Sequence, residues 1–503
     1  MCVRRERSNA HVAFVRRTTT TNIGPWIPRA HEDLHSSING DKGSPTHWAV
    51  IDRIQAQLEQ LGLEIQCDDL KFTYYDGPLS EPSIHINGES VPVTSYSKYS
   101  GFTDADGVSG QLVDLTTSSL TQMPDWKKAS GNIALTNITN LAYDLPDLLP
   151  VWPGSPPWEV QYGSPEVNAE VLVHNLTVAA DAGVKAVIYA WQNASTGLVE
   201  GQWVPFHNLY QGVPTLFVQG EYGGLEKLQQ ATSDGAEAQV TLEAQMQPGR
   251  TARTLWTVIP GTDLKNESVI LNTHTDGTNL IEENGYIALL AYAAELVANP
   301  PRRTTVLLFV GQHMHFEAFA QAPQRATSRW LNQHPEYWAG EGQRHAFGYG
   351  GQLKGVVGSC VEHLGAVHWD ESVEDDRWFA TEQMEPELLY ASTPELNRLL
   401  REQWVGAEPN VTRVSNPVDS EGPQAGEGYP FYLVAIPNIS LVTNPSYLLK
   451  IWPHSFDEKR LMDLHATRRQ IDSFFRVWKG MDMMSAEEMG VQSSNGTQQA
   501  LHV

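Results

Sequence analysis

The segment Leu271-Asn272-Thr273-His274-Thr275-Asp276-Gly277 is followed within a few residues by Ile281-Glu282-Glu283-Asn284-Gly285, so an imidazole and several carboxylates gather in one short stretch. Histidine nitrogen and carboxylate oxygen are donors that hold a divalent ion such as zinc. Such a set offers Lewis-acid activation of a carbonyl and ionisation of water near neutral pH. Ahead of it, Ser268-Val269-Ile270-Leu271 is a short apolar run of the kind that forms an inner parallel strand, and Tyr286 to Val297 behind it reads as a packed helix. Open α/β sheets place their chemistry at the carboxyl ends of their strands. Plainer roles exist for the same residues. A histidine near a strand end is often only hydrogen-bonded, and Glu282 and Glu283 also suit the first turn of a helix, where the dipole favours acids.

The segment resembles the zinc aminopeptidase and glutamate carboxypeptidase family of the clan MH metallopeptidases, to which the glutaminyl cyclases are related, and the likeness extends over most of the chain. That family runs strand, His-x-Asp, an acidic bridging residue before a helix, then strand-Gly-Glu-Glu, strand-x-Asp-x-x-Gly and a late histidine. The resemblance implies His274 as a metal ligand, Asp276 as the carboxylate that orients it, and either Glu282 or Glu283 as the bridging ligand. Thr304 to Val310 is a β-rich run ending in Gly311-Gln312-His313 where the family carries Gly-Glu-Glu. Gln312 thus stands in the place of the general base and cannot take a proton, whereas His313 can still bind a metal through a neutral imidazole. Loss of a positioned base typically costs on the order of 10²–10⁴ in rate. His315 shares a face with His313 in an extended segment, as a reserve ligand or base.

Farther along, Gly355 to Gly365 resembles the family's third strand and puts Glu362 in the place of a ligand Asp, with His363 beside it as a substrate contact. The late histidine resembles His454 in Ile451-Trp452-Pro453-His454, after the strand-like Ile436 to Leu441. Gly426-Glu427-Gly428-Tyr429-Pro430-Phe431 resembles the substrate loop Ser-Asp-His-x-Pro-Phe, with Glu427 for the Asp as a substitute base and Tyr429 facing the substrate. The family's cofactor is zinc, one or two ions; iron and manganese are also compatible with a mixed His and carboxylate set.

Positioning these residues takes a mixed, mostly parallel twisted α/β sheet with helices on both faces, the zinc-exopeptidase-like architecture. Residues 1–34, with the run Thr18 to Thr21, read as a flexible tail. Residues 35–106 open the core: Ile51, Ile54, Leu58 and Leu61 recur at helical spacing, and Gly62-Leu63-Glu64-Ile65 leads into a strand. Short strands and turns dominate 107–249, which resembles a protease-associated domain inserted into the core; Trp191, Trp203 and Phe206 there either line the cleft or pack. Residues 250–482 carry the rest of the core, including a helix from Arg460 to Trp478, and 483–503 form a C-terminal tail.

The 503 residues suit two domains plus tails. A hydrophobic fraction of 41% supports a sizeable core, and no run approaches the ~20 apolar residues of a membrane span. The net charge of −25 speaks against nucleic acid as a partner, because phosphate binding needs clustered Lys and Arg. Cys2, Cys67 and Cys360 are too few for a disulfide framework or a cysteine zinc site. The N-terminus is basic at Arg4-Arg5 and Arg16-Arg17 but lacks the apolar stretch of a signal peptide. Seven Asn-x-Ser/Thr sequons, at Asn137, Asn175, Asn193, Asn266, Asn410, Asn438 and Asn495, hint at a secretory or vacuolar ancestry and leave the compartment open. Three functions follow as expectations: a metal-dependent amide or peptide hydrolase with His315 or Glu427 as substitute base, a non-hydrolytic metalloenzyme such as a cyclase or lyase, and an inactive binding protein. The partner is a peptide or a small-molecule amide or carbonyl compound, with homodimer formation left open.

Overall fold

A computed structural model of the chain describes residues 45–119, 122–144, 152, 161–173, 176–203, 210–313, 326–340, 352–406, 412–415, 426–451 and 460–490. Its largest sheet has eight strands, numbered here β1 (Ile65–Asp76), β2 (Gln245–Ile259), β3 (Leu264–His274), β4 (Arg303–Val310), β5 (Lys354–Glu362), β6 (Glu387–Ala391), β7 (Thr412–Ser415) and β8 (Asn438–Val442). They lie in the order β1-β2-β4-β3-β5-β8-β6-β7. The inner four, β4, β3, β5 and β8, are mutually parallel, with β2 antiparallel on one side and β6 antiparallel on the other.

Every residue of β4 and of β8 is buried, as a parallel strand covered on both faces requires. Seven helices bear on the argument: α1 (Pro45–Gln60), α2 (Pro165–Leu172), α3 (Tyr286–Ala298), α4 (Ala326–Gln333), α5 (Pro394–Gln403), α6 (Tyr429–Leu433) and α7 (Leu464–Met483). On one face of the sheet Ile51 and Ile54 of α1, Tyr292 of α3, Leu396 of α5 and Phe474 of α7 pack over Val269 and Leu271 of β3. On the other, Trp330 of α4 and Phe431 of α6 cover Ile270. The alternation along β3 therefore feeds two cores. Helix α3 is apolar almost all round because the first two of its turns are buried on every side.

Between β1 and β2, which pair antiparallel, lies a second eight-stranded sheet drawn from Ser83 to Thr241. Its central strands, Val108–Asp114, Ile133–Thr139, Ala186–Gln192 and Thr215–Gln219, are parallel. This sheet also takes in Ser83–Ile86, Glu89–Val91 and Val93–Tyr96, ahead of residue 107, where the sequence led us to open the unit. Strands of three or four residues are too short to show a period of two. Trp191 is buried and stacks on Phe217 at 5.8 Å, and Trp203 is buried against Leu449, so both pack; Phe206 lies outside the described residues. Among the described residues no helix is long and apolar enough to cross a membrane.

Candidate metal centre

Three parallel strands end at one place. β3 finishes on His274, β4 leads through Gly311 and Gln312 to His313, and β5 finishes on Glu362 with His363 next. The chain after β3 folds back at Gly277, where a Cβ would sit 2.8 Å from Glu282 Cγ and 2.9 Å from Glu283 Cβ, and this return carries Glu282 into the group. At the other two ends a non-glycine residue takes a left-handed conformation: Gln312 at φ 75° and His363 at φ 59°. Such residues cost of order 1–3 kcal/mol and persist where the surroundings over-determine them. For His363 the consequence is direct. Strand alternation would turn it away from Glu362, and the left-handed turn instead sets both on His274.

Two overlapping groups able to hold a metal ion result, His274-Glu282-His313 and His274-Glu362-His363, with the donor atoms of each group within 4.8 Å of one another. Glu282 Oε1 lies 3.9 Å from both His274 Nε2 and His313 Nε2, and its Oε2 lies 2.9 Å from His363 Nε2. Each imidazole is fixed from behind by an oxygen acceptor. His274 Nδ1 donates to the Asp276 carbonyl at 2.8 Å, His313 Nδ1 to Glu427 Oε1 at 2.6 Å, and His363 Nδ1 to the Thr443 carbonyl. An acceptor at Nδ1 puts the proton of the neutral ring there, so Nε2 is the nitrogen that faces the group. His274 and His313 stack with ring centroids 4.2 Å apart.

His274 Nε2 and Glu362 Oε2 are buried without a hydrogen bond, and Glu282 Oε2 and His363 Nε2 face each other as a buried ion pair at 2.9 Å. Buried polar atoms are nearly always paired, and a cation held by either donor group would supply what these acceptors lack. The mixture of imidazole and carboxylate suits zinc.

Electrostatics follow the same lines. Burial, and next the neighbouring His313, hold His274 below the usual imidazole range. Burial also acts against charging His313, but the Glu427 carboxylate outweighs it and lifts His313 to about 9. His363 is raised in the same way, with Glu282 overcoming its burial. Burial pushes Glu282 up, and the imidazoles, His363 foremost, overcome this and bring it below the usual carboxylate value.

Several expectations change in the structure. The Asp276 atom that orients His274 is its carbonyl; its carboxylate Oδ1 accepts from the His313 backbone N–H at 3.1 Å. Glu282 faces the imidazoles, and Glu283, though buried, enters neither group. Glu427, expected as a base, spends one oxygen on His313 and the other on the Thr327 N–H at 2.7 Å, so it positions His313. His363, expected on the substrate side, lies within the donor group. Gln312 is buried with its amide nitrogen unpaired. Tyr429 opens α6 half-buried, its ring 6.1 Å from that of Tyr432. His315 and His454 lie outside the described residues. Sequence reasoning missed Cys360, whose thiol donates to Glu362 Oε1 at 2.8 Å and is pushed well up by burial and by that carboxylate. Its place two residues before Glu362 on one strand face was the available signal.

No protein-family profile and no curated protein sequence matches the chain. Solved structures do share its fold. One is BSAP, a zinc aminopeptidase from Bacillus subtilis, at 12% identity over 95% of this chain and 100% of that one, with a TM-score of 0.60. An aminopeptidase from Aneurinibacillus sp. strain AM-1 superposes at 12% identity over 92% and 93% of the two chains, with a TM-score of 0.58. A peptidase M28 precursor from Shewanella amazonensis does so at 13% identity over 92% and 97%, with a TM-score of 0.55. The chain therefore has the mixed α/β fold of these aminopeptidases over nearly its whole length.

Proposed function

We propose that this chain is a metal-dependent enzyme, with zinc as its ion, acting on the carbonyl of a peptide or small-molecule amide. One observation carries the proposal: three imidazoles hydrogen-bonded through Nδ1 turn Nε2 toward the buried Glu282, within two overlapping groups of donors that could hold a metal ion. His274 would hold the ion together with Glu282 and His313 or with Glu362 and His363. Bound zinc supplies a Lewis acid for the carbonyl and eases ionisation of water. The protein's own part is orientation and proton placement. Glu427 keeps the His313 proton on Nδ1, the Thr443 carbonyl does the same for His363, and burial excludes bulk water from the donors. The second sheet, read as a protease-associated-like insertion, shapes access to this site.

Hydrolysis is supported by the aminopeptidases whose fold the chain shares. A second reading, a non-hydrolytic cyclase, lyase or acyl rearrangement, is favoured by Gln312, whose amide donates a hydrogen bond but takes no proton. Metal content per purified chain, by plasma mass spectrometry, tests the common core. We expect one or two equivalents of zinc in the wild type, lost in folded His274→Ala and Glu362→Ala. A metal-free, folded wild type would overturn both readings and leave a binding protein.

A further inference from the structure

Glu362 enters its donor group with its two oxygens in unlike surroundings. Oε1 accepts twice, from the Cys360 thiol at 2.8 Å and from the Glu427 N–H at 3.0 Å. Oε2 is buried and accepts no hydrogen bond. It is therefore the oxygen left for an ion held with His274 and His363. The thiol is set in place by the sheet. Cys360 stands two residues before Glu362, so both side chains leave β5 on one face. Its register partner is Ser440 of β8, whose Oγ accepts from the Cys360 N–H at 3.2 Å and donates to Asn438 Oδ1 at 2.7 Å. Cys360, Glu362 and Ser440 are all fully shielded from solvent, so no water competes for the thiol proton.

We propose that Cys360 is a positioning residue of the metal centre: its S–H ties back Glu362 Oε1 and so makes the glutamate a one-oxygen ligand through Oε2. The inference deepens the metalloenzyme proposal and rests on it. A carboxylate with both oxygens free grips an ion with both, which spends two coordination positions and leaves fewer for water and substrate. With Oε1 held by two donors, only one position is spent. A residue that merely fills the space beside β8 needs no proton, and valine would serve as well. Hydrogen bonds made to ligating groups from behind are typically worth 10- to 100-fold in metal affinity. The Glu427 N–H stays when the thiol is removed, so the lower end of that range is expected here.

Cobalt(II) in the full chain is the probe, because its visible absorption is strong in four-coordinate sites and weak at higher coordination number. Cys360→Ser keeps a donor at this place, whereas Cys360→Ala and Cys360→Val remove it, the valine filling about the same volume as the cysteine. The Ala and Val variants are expected to lose about 10-fold in cobalt affinity by chelator competition. Both should also absorb more weakly than the wild type, because the freed Oε1 turns to the ion. The Ser variant should stay within a few-fold of the wild type and keep its absorption. A packing role would order the variants by volume instead, with Val nearest the wild type and Ser close to Ala, and that order overturns the proposal. Equal affinity and absorption in wild type and variants overturns it too and leaves the metalloenzyme reading intact, whereas a folded wild type that takes up no metal overturns both. If the variants fail to fold, the infrared S–H stretching band of the wild type decides, Cys360 being the free cysteine among the described residues. That band should shift when zinc binds, as Glu362 shares its charge with the ion and accepts more weakly; an unmoved band overturns the proposal.

Discussion

At the scale of single residues, the His313–Glu427 pair decides where a proton sits. Thr327 N–H requires an acceptor, and in Glu427→Gln the amide oxygen must serve it, which turns the amide N–H₂ toward His313 Nδ1. That nitrogen then has to accept, so the proton moves to Nε2 and blocks the lone pair. We expect zinc affinity to fall roughly 10- to 100-fold, measured by chelator competition. Unchanged affinity would place His313 outside the ligand set. Gln312→Glu restores a group able to take a proton and is expected to raise aminopeptidase turnover by about 10²- to 10⁴-fold; no gain would point to the substrate loop instead. His274, His313 and Glu362 could be picked out as candidates because residue type and the end of an apolar strand coincide, whereas the choice between Glu282 and Glu283 stayed open in the sequence. The donor placement of His363 was not legible, because the left-handed φ that turns it inward contradicts strand alternation, and histidine carries no mark of that conformation.

At the scale of elements, strand ends must be held to a fraction of an ångström for donors to converge. Gly426, at φ 74°, packs directly on Glu362 Oε2, and an added Cβ would collide with that oxygen and with Val442. Gly426→Ala should therefore cost roughly 1–3 kcal/mol in stability and displace Glu362. Thermal unfolding with and without zinc checks this: the shift produced by zinc should shrink in the variant. The outer strands are tied by Arg253 of β2, which meets its register partner Asp69 of β1 through two bonds of 2.6 and 2.9 Å. That bond holds the Asp69 carboxyl below its usual value. A depressed folded-state pKa gives stability that is present above the unfolded value near 4 and lost as pH falls through the folded one. Both side chains are partly exposed, so the contribution is below ~1 kcal/mol. Asp69→Asn should lose it at pH 7 and match the wild type near pH 2. Strands β3 and β4 and helix α3 were readable from their apolar runs. Short strands such as Glu89–Val91 were not, because pairing within the sheet, more than their own pattern, makes them strands.

At the scale of the whole molecule, the inserted unit is fastened to the core by the hairpin of Val367–Ser372 with Arg377–Met384 and by the segment before residue 452. Ser195 donates through N and Oγ to Glu371 Oε2, each at 2.9 Å, Thr196 N donates to Asp376 Oδ1 at 2.7 Å, and Tyr222 Oη donates to the Val373 carbonyl at 2.7 Å. Lys450 closes the junction. It is buried, donates to the carbonyls of Gly197 at 2.7 Å, Leu198 at 3.3 Å and Glu200, and lies 4.5 Å from the Trp378 ring centroid. Lys450→Met keeps the bulk of the stem but removes the ammonium donor of the Gly197 and Glu200 carbonyls, at a cost of about 1–3 kcal/mol, while Leu198 keeps its bond from Gln202. The expected loss falls at the junction, because all of the metal donors stand on the main sheet or its return loop. Hydrogen exchange in the variant should therefore speed up around 195–203 and 371–378 while zinc content stays at the wild-type level. Unchanged exchange at the junction would mean that the remaining bonds hold it without Lys450.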